Sequence, residues 1–279
     1  MLHIDILKEP AEEYKKYINI QEQFELDGNF NEDVNENSYE GTLPVDENFE
    51  FIKKGFKNAL KHAIYSTAMR YYTNKIAKFV KLQVVGKENL KGIKEAIVTC
   101  NHISKFDSFA VRKAIGINIL FVAADFNNWT GKMGDLARYN GYLPLSSKYS
   151  VMKKFNQAIE YYLNKGKKIL IYPEQAMWRD YKKPRPMKDG AFHYAVKHNV
   201  PILPLFITFR PSGIIEDGVE FMYYTIHILK PIYQQVDKSN KDNVEYLRKE
   251  NFASWKECYE NTYNTPLEYT TLDKSKIKI

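Results

Sequence analysis

Cysteine is nearly absent from this sequence: Cys100 and Cys258 are its only two among 279 residues. They make neither a C-x-x-C pair nor a disulfide framework, which points to a reducing compartment. Long hydrophobic runs are missing too. No stretch of 18 or more apolar residues occurs, which argues against a transmembrane helix. Met1 is followed at once by Asp5, Glu9, Glu12 and Glu13, so a basic-then-apolar signal peptide is not expected. There is no G-x-S-x-G elbow, P-loop, G-x-G-x-x-G or zinc-ligand spacing. These gaps count against serine hydrolases, nucleotidyl enzymes and metalloenzymes.

What is present is a core-forming composition with a lopsided charge. Hydrophobic residues make up 44% of the chain, enough for one large α/β domain. The net charge of +7 hides a division. Residues 1–50 carry 14 acidic side chains against three lysines, which leaves +18 on the remaining 229 residues. A basic body suits anionic partners such as lipid surfaces or phosphorylated substrates. Surplus lysine is also an ordinary solubilising surface, and no nucleic-acid partner is expected.

Residues 1–50 read as an acidic leader, partly irregular, with Asp27–Gly41 as loop. One reading has this leader fold back over the basic face and gate it. Across residues 51–80, Ile52, Phe56, Leu60, Ile64, Ala68, Tyr72 and Ile76 recur every four residues, the pattern of an amphipathic helix. Lys53, Lys54, Lys57, Lys61, Arg70, Lys75 and Lys78 fill its other faces. Such a helix either lies in an anionic membrane interface or packs on the core. Strands are expected at 82–85, 96–100, 117–124, 168–172, 202–209 and 219–229, and helices at 108–115, 151–164, 187–198 and 244–259. This alternation predicts an α/β sandwich with a mainly parallel central sheet flanked by helices, spanning residues 81–265 and followed by a tail at 266–279. The last strands are the candidates to run antiparallel.

The most informative stretch is Asn101-His102-Ile103-Ser104-Lys105-Phe106-Asp107. It follows a buried strand and precedes a helix, where the carboxyl ends of strands present ligands in open α/β sheets. A carboxylate five residues from a histidine across a tight turn can fix the imidazole tautomer and stabilise the imidazolium. That is a general-base pair without an enzyme nucleophile, suited to direct attack by a substrate hydroxyl on an activated acyl group. The plainer reading makes Asp107 the N-cap of the following helix and His102 a satisfied loop residue. His193 and His198 lie on the later helix expected at 187–198, and His3, His62 and His227 have no matching partners.

NHISKFD resembles the His-x4-Asp motif of the glycerolipid (lysophospholipid) acyltransferase family, the 1-acylglycerol-3-phosphate acyltransferase-like enzymes. Four further blocks resemble that family in order: Gly141-Tyr142-Leu143-Pro144-Leu145, then Tyr172-Pro173-Glu174, then Lys188, Gly190, Ala191 and Phe192, then Val200 to Leu205. The resemblance covers residues 82–230 and implies a glycerol-3-phosphate acyltransferase-like fold. It also implies transfer of a fatty acyl group from a thioester, acyl-CoA or acyl carrier protein, to the hydroxyl of a lysophospholipid or another lipid alcohol. His102 would be the base and Asp107 its orienting acid. Asn101, Ser104, Gly141, Glu174, Gln175, Arg179 and Lys188 would surround the substrates, with Glu174 lining the acceptor site. Residues 200–205 would shape the acyl pocket. A cytoplasmic protein on the inner face of a membrane would suit this work.

Two departures stand out. Gln175-Ala176-Met177 replaces the family's usual Gly-Thr-Arg, and Ser147 occupies the second-block arginine position. A guanidinium binds phosphate bidentately in a way lysine does not, so a non-phosphate acceptor such as a glycolipid is the alternative. Arg179, Lys182, Lys183 and Arg185 could supply the charge from a shifted geometry or could coat a loop. Met177 and Trp178 would either touch an acyl chain or anchor that loop. Backbone N–H groups of these turns are candidate oxyanion donors. A basic membrane-binding protein without catalysis is the reading from a different class.

Overall fold

The computed structural model describes residues 10–34, 38–273, 275 and 277. Short apolar runs form the central sheet: β1 (Gln83–Val85), β2 (Ala96–Thr99), β3 (Leu120–Ala124), β4 (Tyr142–Leu145), β5 (Lys168–Ile171), β6 (Ile202–Glu216) and β7 (Val219–Ile228). Their order across the sheet is β1-β7-β6-β2-β5-β3-β4. Strands β2 to β6 run parallel, whereas β6 and β7 form an antiparallel pair and β1 runs alongside β7. The tight Asp217-Gly218 turn allows the antiparallel return, because both residues adopt left-handed backbone. Parallel neighbours instead need the helical crossovers that the sequence supplies.

Period-two alternation places the two faces of the sheet in two cores. Ile97, Ile169, Ile202 and Phe206 face α5 (Tyr149–Leu163), α6 (Gly190–His198) and α7 (Asn240–Tyr263). Val98, Leu170, Leu203, Leu205 and Ile207 face α3 (Asp107–Ile115) and the C-terminal part of α2 (Phe56–Phe79). The central strands β2, β5 and β6 are therefore apolar on both sides where helices cover the sheet. The α/β sandwich and its mainly parallel sheet are as the alternation implied.

The first 80 residues bring one addition and one change. The acidic leader is ordered over Ala11–Asp27 as α1, and Gln21 and Glu25 are buried against the loop after β5. The basic helix begins at Phe56 rather than residue 51, and its apolar stripe does not face one surface. A four-residue repeat overshoots the 3.6-residue turn by about 40° per step, so the stripe winds about 200° between Phe56 and Ile76. Met69, Thr73, Ile76 and Ala77 are buried, whereas Phe56, Leu60 and Ile64 are 86%, 53% and 61% exposed. Between β3 and β4 lies a further helix that the alternation did not predict, α4 (Gly131–Arg138), which buries Gly134 and Leu136.

Candidate active site

β2 and β5 are adjacent and parallel, so the loops leaving their carboxyl ends meet. That is how His102 and Glu174, 72 residues apart, come to share a hydrogen bond. His102 Nδ1 lies 2.9 Å from Asp107 Oδ2. The same oxygen accepts the backbone N–H groups of Ile103 at 2.8 Å and Ser104 at 3.0 Å. Three donors converging on one oxygen suit a carboxylate and place the imidazole proton on Nδ1, leaving Nε2 as the basic nitrogen. Burial pushes the Asp107 carboxyl above its ordinary value, opposed by His102 and by these two backbone donors. The His102 ring stacks on Tyr172 with 4.0 Å between centroids, and its side chain keeps 24% exposure.

Asp107 does not act as the helix cap that the plainer reading supposed. It is the first residue of α3, and the preceding Phe106 makes no side-chain cap bond. Its carboxylate reaches back across the turn instead.

Glu174 departs from the expected acceptor-lining role. It is 1% exposed, and both oxygens are engaged inside the protein. Oε2 accepts the His102 N–H at 3.0 Å and the Arg185 guanidinium at 2.8 Å, while Oε1 accepts the Arg185 N–H at 2.8 Å. Arg185 also donates to the carbonyls of Phe30, Ala176 and His102, and its guanidinium lies 4.6 Å from the Trp178 ring. This buried ion pair welds the His102 loop to the loop after β5. Arg185 is therefore no phosphate reader. The sequence signal for its role was its seat between Pro184 and Pro186, which stiffens the backbone it spans.

The remaining candidates divide. Ser104 and Asn101 adjoin His102, but both are buried. Ser104 Oγ accepts the Phe106 N–H, and the Asn101 amide exchanges two bonds with the Ile207 backbone on β6. Gln175 is exposed beside the site in left-handed backbone. Arg179 stacks over Tyr17 at 4.1 Å, and Lys188 is exposed before α6 with its N–H on the Pro173 carbonyl. Gly141 is displaced from the site. It precedes β4, at the amino end of the sheet, where an added Cβ would lie 3.0 Å from Leu120 Cα. Trp178 is fully buried against Phe24, Phe30 and Tyr181, so it anchors the loop.

Backbone donors near His102 are spent. The N–H of His102 serves Glu174, those of Ile103 and Ser104 serve Asp107, and that of Phe106 serves Ser104. The expected oxyanion donors are thus not these groups. His227 pairs with Thr208 and His62 with the Tyr139 carbonyl, neither with a carboxylate, while His3 lies outside the described residues. No cluster able to hold a metal occurs among the described residues.

The N-terminal segment packs against the loop after β5. Asn31 Nδ2 reaches the Glu174 carbonyl at 3.3 Å, Trp178 Nε1 donates to the Glu32 carbonyl at 2.9 Å, and Tyr14 donates to Asp180 at 3.0 Å. Asp180, pushed up to about 6 by burial, donates its backbone N–H to the Ile103 carbonyl.

The chain is also similar to known proteins. The Acyltransferase family model matches residues 81–208. A 1-acyl-sn-glycerol-3-phosphate acyltransferase of Limnanthes douglasii is 26% identical over 131 residues, 46% of this chain and 46% of its own length. One from Saccharomyces cerevisiae is 24% identical over 75% of this chain and 70% of its own. The chain thus spans about half the length of the plant relative it matches. The crystal structure of the 1-acyl-sn-glycerophosphate (LPA) acyltransferase PlsC from Thermotoga maritima shares the fold. Its TM-score is 0.52 at 20% identity, covering 72% of this chain and 84% of that one.

Proposed function

We propose that this chain, whose residues 81–208 match the Acyltransferase family model, is an O-acyltransferase moving a fatty acyl group from a thioester to the hydroxyl of a lysophospholipid-type lipid, in phospholipid biosynthesis. One observation carries the reading: His102 Nδ1 is fixed by Asp107 while the ring stays partly exposed, with no side-chain bond to Nε2 among the described residues. A base so held acts on a substrate hydroxyl rather than on an enzyme nucleophile.

The acceptor hydroxyl gives its proton to His102 Nε2 as its oxygen attacks the thioester carbonyl carbon. Asp107 stabilises the imidazolium that forms. The tetrahedral intermediate then collapses, the C–S bond breaks, and the leaving thiolate takes the proton back from Nε2. Base catalysis of this kind contributes roughly 10²–10⁴-fold. Acyl-CoA or acyl carrier protein supplies the thioester, and no cofactor takes part.

Such an acceptor sits in a membrane, and α2 offers the contact. Phe56, Leu60 and Ile64 project to solvent beside Lys57 and Lys61, an apolar stripe with cations for an anionic surface. No helix among the described residues is long and apolar enough to cross a membrane. Peripheral attachment to a cytoplasmic membrane face follows from this reading. The test is labelled acyl-CoA with lysophospholipid vesicles and mass spectrometry of the lipids. A labelled diacyl product supports the reading. Its absence with every donor and acceptor, from folded protein, defeats it.

A further inference from the structure

Tyr172 covers one face of the His102 imidazole. The two ring centroids lie 4.0 Å apart, with an angle of 13° between the planes. The backbone builds this stack. Thr99 pairs with Ile171 in the parallel β2–β5 ladder, so the chain leaves both strands side by side, with Tyr172 the first residue after β5. Pro173 then biases Tyr172 toward extended backbone. Glu174, next along, accepts the His102 N–H at 3.0 Å. The short segment Tyr172–Glu174 thus holds both the backbone and the ring of the base.

The stack treats the two protonation states of the imidazole differently. A neutral ring gains dispersion and little else from a parallel aromatic face. An imidazolium instead meets the negative face of the phenol, which attracts a cation within about 6 Å of its centroid. Burial pushes the Tyr172 phenol well above its ordinary value, so this ring stays neutral while the histidine changes charge. Asp107 is the only side chain hydrogen-bonded to the imidazole among the described residues, at Nδ1 and so at the edge of the ring. Glu174 and Arg185 meet the His102 backbone, and Asp33 acts through space.

Resting on the acyl-transfer reading above, we propose that Tyr172 is a positioning residue of the reaction, whose ring face stabilises the His102 imidazolium that forms as the acceptor hydroxyl gives up its proton. Asp107 answers that developing charge from the ring edge and Tyr172 from the face. The resting enzyme, with a neutral imidazole, lacks this attraction, so the stack favours the transition state over the ground state.

The experiment compares the full chain with Tyr172→Leu, Tyr172→Phe and a chain in which pentafluorophenylalanine replaces Tyr172. One acyl-CoA and lysophosphatidic acid are the substrates, and kcat is followed across the range where histidine titrates. Tyr172→Leu removes the face and should lower kcat about five- to tenfold with the acceptor KM little changed. A less supported imidazolium loses its proton at lower pH, so the acid limb of the profile should move down by up to about one unit. Tyr172→Phe keeps the face and should restore most of both losses. The fluorinated ring keeps the aromatic shape but inverts the charge of its face, so it should behave like Leu even where Leu unfolds the site. A fall in kcat with an unmoved acid limb, a Phe variant as impaired as Leu, or a fluorinated chain equal to Phe overturns the proposal. Titration of the His102 nitrogens by NMR, without substrates, makes the test independent of turnover. A lower midpoint in the Leu and fluorinated chains supports the proposal, and equal midpoints contradict it. A chain that turns over no acceptor while its midpoints still shift would sink the acyl-transfer reading and leave the ring-face stabilisation of the imidazolium standing.

Discussion

Replacing Glu174 by Gln separates a residue that lines a substrate site from one that holds the base in place. Glu174 and Arg185 are both about 1% exposed, so neither charge has water to fall back on. The substitution keeps the shape and one oxygen, but leaves the guanidinium with neutral oxygens only and no countercharge. Breaking one side of a buried ion pair costs about 3–5 kcal/mol, and the retained amide oxygen should hold the loss near the low end. Arg185→Met, which strands the carboxylate, should cost a similar amount. The double variant strands neither charge, and should be no less stable than either single one, with a coupling of about 2 kcal/mol or more. Urea unfolding of the four proteins measures this. Because the His102 N–H is bound to Glu174, kcat should fall in Glu174→Gln even under conditions where the protein is fully folded, with the acceptor KM little changed. Near-additive losses, or a rise in KM at constant kcat, would refute the reasoning and restore Glu174 to the acceptor site.

Asp107→Asn should lower kcat on the order of 10⁴-fold, because an amide can offer its N–H toward Nδ1 and favour the wrong tautomer; an unaltered kcat in steady-state assays would contradict this. Replacing Phe56, Leu60 and Ile64 by Ser should abolish flotation with anionic liposomes while leaving turnover of a soluble short-chain acceptor intact; retained flotation would exclude this helix face as the contact. Asp180 holds its proton to about pH 6 in the folded chain and to about 4 unfolded. The native state therefore binds more protons between those values, so this group makes stability fall as pH rises through that window. The Asp180→Asn variant should lose that part of the slope, on the order of 2 kcal/mol once partial solvent screening is allowed for; identical slopes in urea unfolding from pH 4 to 7 would rule the effect out.

Much of this was legible because the signals were local. Strand period and the Asn101–Asp107 spacing put the dyad at the end of β2, and the order of blocks put Glu174 beside it. What was not legible depends on partners far apart in the chain. The burial of Glu174 is decided by Arg185 and by the parallel pairing of β2 with β5, which no spacing encodes. The ordering of α1 was hidden because its polar residues, Gln21 and Glu25, are buried by bonding to the loop at 179–183 rather than by apolar character. Helix α2 misled through its four-residue repeat, which reads as one face but winds from solvent into the core.

The central claim is that His102 is the base for acyl transfer to a lipid hydroxyl. Thiol release from acyl-CoA, followed with lysophospholipid vesicles for the wild-type protein and His102→Ala, tests it most directly. The expected result is acceptor-dependent release by the wild type and a loss of at least roughly 10²-fold in the folded variant. Equal release by both proteins, or release that ignores the acceptor, would contradict it.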